Sequence, residues 1–338
     1  MKKSIAVLFA VLSVLGIALV AGRADAAPAK ASAGSLVGTG ATFPFPLISK
    51  WIPAVDSALG MRITYTPTGS GAGIAQITAR TVDFGASDAP LSPDQLTACK
   101  GCTVIPWALA AESIPYNLPG LNGRLKLAGV TIASIYLGKI TRWNDPAIKR
   151  LNPNLNLPDL KITPVYRSDG SGTTYAFTDY LSAVSPEWKS KVGVNTSVNF
   201  PAGVGARGSS GTAGVVRQTE GALTYVDAAY SIQNKLQFAL IRNRSGKFTT
   251  PGLRGVTAAL SQLKIVDPPK SAGPVAYPIS TFTYVIVPLK SGDKAADLRK
   301  FVYWAVTAGQ KYGPPLWFVP LPATVKAFAY REIKRIQA

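Results

Sequence analysis

The chain has 338 residues, and its 36 lysines and arginines against 17 acidic residues give a formal net charge of +19 at pH 7. It contains no histidine, which excludes a Ser-His-Asp triad, a histidine general base and the usual histidine-bearing metal sites. The basic residues are scattered and form no motif of a known nucleic-acid-binding module, so we expect no nucleic-acid partner. The charge fits either an ordinary basic surface or the steering of an anion. The length is enough for about two domains.

Residues 1–26 are typical of a secretory signal peptide. Lys2 and Lys3 precede an apolar run from Ile5 to Val20, and small residues lead to a cleavage point after Ala26. A retained membrane anchor is the alternative, but the run is short for a membrane span. No cysteine follows the run, so no lipid anchor is predicted. We expect a periplasmic protein that is soluble after cleavage.

A first glycine-rich turn, Gly-Thr-Gly-Ala-Thr-Phe-Pro-Phe-Pro, precedes an apolar stripe of helical spacing from Leu47 to Leu59. Thr42 or Phe43 would offer the first free amides of this helix, and the prolines of the turn suit a first helical turn. Pro53 is expected to kink or break the helix.

A second turn, Gly-Ser-Gly-Ala-Gly, follows a strand-like run that begins at Arg62. It places Ser70 at the N-cap of a helix, and the short strand after that helix ends at Asp88. A helix N-terminus binds anions, so this carboxylate lies beside a predicted anion site. An acid at such a site is expected only where the anion has a proton to donate.

A third turn follows a strand that ends at Arg167, and Ser171, Gly172 and Thr173 open the next helix. Open α/β sheets bind their ligands at strand ends of this kind. The three helix N-termini, the arginine, the acid and the hydroxyls together predict a site for a small tetrahedral oxyanion.

These segments, with Ile-Tyr-Leu-Gly-Lys-Ile-Thr-Arg-Trp-Asn-Asp-Pro-Ala-Ile at 135–148, resemble the phosphate-binding subunit of high-affinity phosphate ABC transporters. The resemblance extends from about Gly38 to Val325. It implies an α/β, two-lobed periplasmic binding protein, each lobe a mixed sheet flanked by helices, with one phosphate in the cleft between the lobes. It further implies a monomer that delivers phosphate to a membrane ABC permease, without enzymatic activity or a cofactor.

The resemblance also implies a ligand set and a division into lobes. Asp169 would orient Arg167, lobe I would comprise residues 27–109 and 276–338, and lobe II residues 110–275. The implied phosphate contacts are Ala41, Thr42, Phe43, Ser70, Asp88, Arg167, Ser171, Gly172 and Thr173.

Two other functions remain open at this stage. An exported phosphatase or phosphotransferase would use Ser70 or Ser171 as its nucleophile, although no base is evident beside either serine. A binding protein for sulfate or molybdate would have in Asp88 a charge that repels its ligand.

The only cysteines, Cys99 and Cys102, form a Cys-Lys-Gly-Cys motif. We expect a local disulfide, because the chain is exported and because a redox motif of this spacing normally opens a helix, whereas this one is predicted to lie in a loop. A zinc site would need two further ligands, and the chain has neither another cysteine nor a histidine.

Two further segments carry turn signals. Gly-Val-Gly-Ala-Arg-Gly at 203–208 matches the dinucleotide-binding fingerprint by letter, but we expect a loop, since neither a clean strand nor a helix flanks it. The residues from Ile241 to Phe248 predict a β-hairpin with its turn at Asn243 to Gly246.

Overall fold

A computed structural model describes residues 34–260 and 272–338. The predicted signal peptide and its cleavage point lie outside the described residues. Within these residues, no helix combines the length and the hydrophobicity of a membrane span.

Helices and strands alternate along the chain, as an α/β fold requires. The strands are β1 (Ser35–Gly40), β2 (Arg62–Thr66), β3 (Phe84–Ser87), β4 (Cys102–Ser113), β5 (Pro115–Tyr116), β6 (Lys126–Ala128), β7 (Thr163–Arg167), β8 (Val204–Ala206), β9 (Ala222–Leu223), β10 (Val226–Asp227), β11 (Gln237–Phe238), β12 (Leu240–Arg242), β13 (Phe248–Thr249) and β14 (Ser280–Pro288). The helices are α1 (Phe45–Leu59), α2 (Ser70–Thr78), α3 (Pro93–Ala98), α4 (Gly129–Tyr136), α5 (Pro146–Lys149), α6 (Gly172–Val184), α7 (Pro186–Lys191), α8 (Gly208–Gln218), α9 (Ala228–Gln233), α10 (Leu253–Leu260), α11 (Ala295–Val306) and α12 (Ala323–Lys334).

The larger sheet has six strands in the order β10-β4-β14-β3-β1-β2. The strands β1, β2 and β3 are parallel to one another, whereas β14 and β10 pair antiparallel to their neighbours. Because parallel strands end at the same edge of a sheet, the segments that follow β1, β2 and β3 emerge together. These segments contain Thr42, Ser70 and Asp88.

A second sheet has five strands in the order β11-β5-β9-β7-β8, and a third has three strands in the order β13-β12-β6. In the five-stranded sheet β7 runs parallel to β8 and β9. The carboxyl ends of β7 and β8 therefore bring Arg167 and the start of α8 to one edge. The predicted α/β class, with mixed sheets flanked by helices, is confirmed, and so is the hairpin, since β12 and β13 pair antiparallel around it.

Of the two effects expected of Pro53, a kink or a break of its helix, the structure excludes the break. The helix α1 continues from Phe45 to Leu59 with Pro53 inside it. Pro53 is exposed, so water can hydrate the carbonyl that loses its amide partner, and the stripe of buried residues on the opposite face, from Leu47 to Val55, holds the helix on the sheet.

Aromatic side chains fill the core beside each of the two larger sheets. Trp51 of α1 packs edge-to-face on Trp107 of β4, with ring centroids 5.3 Å apart. Near the five-stranded sheet, Phe177 stacks on Tyr225 at 4.1 Å. The Tyr225 hydroxyl accepts a hydrogen bond from the Arg167 amide at 3.1 Å, so this core also fixes the end of β7.

Candidate functional site

The α2 helix begins close to the end of β7. Gly69, not Ser70, is the N-cap of α2, so the predicted cap is wrong by one residue. Gly69 has φ of 102°, and a Cβ there would lie 2.3 Å from Oδ2 of Asp169; only glycine fits this approach. Ser70 opens the helix instead. Its Oγ accepts hydrogen bonds from the amides of Gly172 at 3.0 Å and Asp88 at 3.3 Å, which joins the ends of both sheets.

Asp88 is the buried acid of this region. It is 2% exposed, and its Oδ1 has no hydrogen-bond partner among the described residues. Desolvation by burial raises the pKa of Asp88 to about 7, against the opposing effects of the Thr283 hydroxyl, the Arg167 charge and the Ser70 hydroxyl. The backbone of α6 approaches the backbone of Asp88 closely, since a Cβ on Gly172 would lie 2.6 Å from the Asp88 Cα.

Arg167 is held by Asp169 through two parallel hydrogen bonds. Its Nε donates to Oδ1 at 2.7 Å and its Nη2 to Oδ2 at 2.6 Å, and the arginine side chain is 1% exposed. Burial alone would raise the pKa of Asp169, but the hydrogen bonds and the charge of Arg167 outweigh it and lower that pKa. The pair fixes the guanidinium plane, which is the orienting role predicted for Asp169.

The N-terminus of α6 contains two hydroxyls with different environments. Ser171 is the N-cap, and its Oγ accepts the Thr174 amide at 3.1 Å. Thr173 is 1% exposed, and its Oγ1 has no partner in the part of the chain that the structure describes. Because a hydroxyl can accept and donate at once, the Ser171 hydroxyl can still donate a hydrogen bond. The Thr173 hydroxyl can both donate and accept.

The turn after β1 offers two amides. The Ala41 amide donates to the Ala86 carbonyl at 2.9 Å, and its carbonyl accepts from the Tyr65 hydroxyl at 2.7 Å, so both backbone polar groups of Ala41 are in use. Among residues 34–260 and 272–338, nothing accepts from the amides of Thr42 or Phe43. Both residues are buried. The structure thus brings Thr42, Phe43, Ser70, Asp88, Arg167, Ser171, Gly172 and Thr173 to two facing sheet edges.

A fourth helix N-terminus was missed by the sequence analysis. The segment 203–208, predicted to be a loop, instead contains β8 and the start of α8. The Gly208 amide donates to Asp169 Oδ1 at 3.0 Å, and Ser209 bonds to Thr42. The sequence signal was the Gly-Ser-Ser-Gly composition, which matches the other three turns.

The structure bonds Cys99 to Cys102. Cys99 is the C-cap of α3 and Cys102 begins β4, so the motif follows a helix rather than opening one. The Arg80 guanidinium donates to the Cys99 carbonyl at 2.7 Å. Within the described ranges, no group of acids and cysteines could hold a metal ion.

A family model described as the PBP superfamily domain matches residues 25–308. The phosphate-binding protein PstS of Xylella fastidiosa strain Temecula1 is 41% identical over 314 residues, which cover 89% of this chain and 83% of that protein. The PstS of Haemophilus influenzae is 37% identical, with 90% and 95% covered. The chain belongs to the PstS family of the PBP superfamily.

Solved structures share the fold. A high-affinity periplasmic phosphate-binding protein, PfluDING, gives a TM-score of 0.72 at 22% identity and covers 88% of this chain and 93% of its own. A phosphate ABC transporter substrate-binding protein from Clostridium perfringens, described as putative and solved with bound phosphate, gives 0.63 at 20% identity, with 85% and 100% covered.

Two buried acids lie outside the residues that the PstS resemblance pointed to. Glu112 of β4 and Asp227 of β10 are direct partners in the antiparallel register, and both are 0% exposed. Desolvation raises the pKa of each, and the charge of Asp88 raises both further. The sequence signal for Glu112 was a single acid in the apolar run from Val104 to Ile114.

Proposed function

We propose that this protein binds inorganic phosphate between the facing ends of its two larger sheets. The observation that supports this most is Asp88, a buried carboxylate with a free oxygen among groups that otherwise donate hydrogen bonds. Relatives at 37–41% identity are named as phosphate-binding proteins. Members of this family are solute-binding proteins for transport, not enzymes.

The donors suit a small tetrahedral anion. The Arg167 guanidinium supplies a positive charge already oriented by Asp169, and the amides of Thr42 and Phe43 and the hydroxyl of Thr173 have hydrogen-bonding capacity free. Hydrogen bonds to a charged ligand are stronger than those between neutral groups. Since the side chains are buried, the ligand would exchange its hydration for fixed donors in a region of low dielectric.

Asp88 explains why the anion would be phosphate rather than sulfate. Phosphate retains a proton near neutral pH and can donate it to the free Oδ1, whereas sulfate is fully deprotonated and has no proton to donate. At a pH above the Asp88 pKa of about 7, sulfate would leave a charged, buried carboxylate unpaired against a second negative charge, which costs more than the loss of one neutral hydrogen bond. Selectivity then arises from the penalty on the wrong ligand.

The export signal and the family suggest the place of this binding step. The protein would act in the periplasm, after cleavage at Ala26, and deliver phosphate to a membrane ABC permease. We propose that lobe I comprises residues 27–109 and 276–338 and lobe II residues 110–275, and that they close about the ligand. A similar role is stated for the Clostridium protein, whose description names an ABC transporter.

The geometry gives little support to a phosphatase. The Ser70 Oγ already accepts two amides, and the Ser171 Oγ caps α6. A nucleophilic serine needs a base within hydrogen-bond reach that takes its proton. The carboxyl that interacts with the Ser70 hydroxyl is Asp88, to which we assign the proton of the ligand, and the Ser171 hydroxyl has no hydrogen bond to a carboxylate among the described residues.

The test is to replace Asp88 with asparagine and to measure phosphate and sulfate binding by calorimetry. We expect Asp88→Asn to keep phosphate binding within about tenfold of the parent and to gain measurable sulfate binding, because an amide can donate to a deprotonated oxygen. Asp159→Asn is the control, since Asp159 is an exposed acid paired with Arg142. If the parent binds no phosphate, the proposed function is wrong. If the variant rejects sulfate as strongly as the parent does, Asp88 is not the selectivity element.

A further inference from the structure

A pair of hydroxyls connects the two larger sheets beside the proposed phosphate site. The Oγ1 of Thr42 lies 2.8 Å from the Oγ of Ser209, and the Ser209 amide donates to the same Thr42 oxygen at 3.2 Å. Thr42 follows β1 of the six-stranded sheet, and Ser209 lies in the first turn of α8, after β8 of the five-stranded sheet. The two side chains are 5% and 0% exposed.

A pocket of about 460 Å³ adjoins this hydroxyl pair. Its wall includes Thr42, Gly208 and Arg207, together with Thr68 after β2 and Tyr230 of α9. Ser209 is fully buried, and the amide of the preceding Gly208 donates to Asp169, the partner of Arg167. The hydroxyl pair therefore lies at the boundary between the pocket and the buried donors around Arg167.

We propose that this pocket is the entrance to the phosphate site and that Thr42 and Ser209 form a gate across it. The proposal rests on the proposed function and adds the route of the ligand. In the structure the gate is shut by two hydrogen bonds that join chain segments 167 residues apart. Separation of the two sheet edges at this point breaks both bonds, and the anion can then pass between the pocket and the site.

A gate of this kind acts mainly on the rate of release. The two bonds exist only in the shut state, so removing one hydroxyl makes that state easier to leave and has little effect on the encounter with the ligand. The net value of one hydrogen bond corresponds to about a three- to tenfold change in an equilibrium or rate. We therefore expect a faster release of phosphate from gate variants, with an unchanged association rate.

Arg207, on the pocket wall, should affect the rate of phosphate association. It is exposed and lies on the pocket wall, and within residues 34–260 and 272–338 its guanidinium has no ion pair or hydrogen bond. A free cation at the entrance attracts an anion over a distance limited by the Debye length. Its removal should slow association and weaken the salt dependence of association.

The experiment measures release and association of phosphate separately. Release is followed by loading the protein with radiolabelled phosphate, adding an excess of unlabelled phosphate and filtering at intervals. Association is followed by stopped-flow tryptophan fluorescence. The variants are Ser209→Ala, Thr42→Val and the double variant, and the matched control is Ser231→Ala, which removes a buried hydroxyl bonded to Ser113 at the same 2.8 Å distance.

Ser209→Ala removes one of the two bonds and should raise the release rate about three- to tenfold, whereas Thr42→Val removes both and should raise it at least as much. The double variant should release no faster than Thr42→Val, because no bond of the gate is left for the serine substitution to remove. Ser231→Ala should leave release unchanged while lowering the melting temperature. Release rates that match the parent, or effects that multiply in the double variant, overturn the gate.

Arg207→Gln tests the entrance, with Arg217→Gln at the other end of α8 as control. Association should slow about two- to tenfold for Arg207→Gln only, with a smaller dependence on salt. Equal association rates for the two arginine variants overturn the assignment of the pocket as the entrance. A parent that binds no phosphate at all contradicts the proposed function instead, so the two failures are distinguishable.

Discussion

The ends of β7 and of β4 both contain ionisable groups that are buried or half-buried, and these groups are arranged in opposite ways. At the end of β7, Arg167 and Asp169 form a bidentate pair, and the pKa of Asp169 lies below its usual value. Near the end of β4, Glu112 lies opposite Asp227 on β10, both are acids, and burial raises both pKa values. A carboxyl removed from water thus keeps its charge here where a partner of opposite sign is placed with it.

The first arrangement keeps two opposite charges inside the protein, whereas the second keeps a proton on a buried carboxyl group. The pair at β7 holds its cation in a fixed orientation, and we propose that this cation contacts the anion. Neither acid of the pair at β4 forms a salt bridge within the described residues, and the charge of Arg167 lowers the pKa of Glu112 less than desolvation raises it. Both oxygens of Glu112 lack a hydrogen-bond partner among the described residues. A carboxyl in such surroundings remains protonated above its usual range. The predictions below test this contrast.

The largest effect is expected from Arg167→Ala. The substitution removes the charge of the proposed site and leaves the half-buried Asp169 without its ion-pair partner, a change that costs about 2–5 kcal/mol in comparable charge pairs. Phosphate affinity measured by calorimetry should fall at least tenfold. Arg142→Ala is the control, because Arg142 pairs with Asp159 at the surface, where an ion pair contributes little. Unchanged affinity in Arg167→Ala would show that the site lies elsewhere.

Most of the Arg167 region could be predicted from the sequence, because local signals define it. A strand that ends in Arg167, a Gly/Ser turn and a hydroxyl-rich helix start all lie within a few residues. The α8 contribution could not be predicted in the same way, since the bond between Ser209 and Thr42 depends on how two sheets meet. The lobe division proposed from the family is likewise not encoded in any local pattern.

The β4 region shows a second limit of sequence reasoning. A single glutamate in the apolar run of β4 marks a position worth attention, but the partner of Glu112 follows from strand register, and β10 has only two residues. The same limit explains the error at Pro53. Local propensity predicts a break, whereas packing of the buried face of α1 overrides it.

The second prediction concerns Glu112→Gln and the pH dependence of stability. The unfolded glutamate loses its proton near pH 4.5, whereas the folded one keeps it to a much higher pH. Between these values the folded state binds more protons, so the parent loses stability as the pH rises, by up to about 1.4 kcal/mol per pH unit. Glutamine removes this loss. The stability of the variant relative to the parent, from urea unfolding at pH 5 to 8, should therefore increase with pH.

Asp227→Asn gives the matched comparison for Glu112→Gln. One oxygen of Asp227 accepts the Tyr230 amide at 3.1 Å, and such backbone hydrogen bonds oppose the effect of burial on its pKa. Asparagine keeps this acceptor. We expect a smaller relative gain with pH than for Glu112→Gln, and phosphate affinity close to that of the parent for both variants at pH 7. A gain that does not depend on pH would contradict a protonated Glu112.

The smallest effects on stability and affinity are expected from the two hydroxyls at the start of α6. One of them has a hydrogen-bond partner and the other has none among the described residues, as in the contrast between the β7 and β4 pairs. Ser171 caps the helix, so Ser171→Ala should lower the melting temperature, with a loss of about 1 kcal/mol in the free energy of unfolding, and it should also weaken phosphate binding.

The Thr173 hydroxyl is buried without a partner among the described residues. Thr173→Val removes an unsatisfied polar group, so the melting temperature without phosphate should stay equal or rise, while affinity falls about tenfold because a hydrogen bond to a charged ligand is lost. Both quantities can be measured on the same samples, by thermal unfolding and by calorimetry. A Thr173→Val variant that is less stable but binds phosphate like the parent would assign this hydroxyl to the fold and not to the ligand.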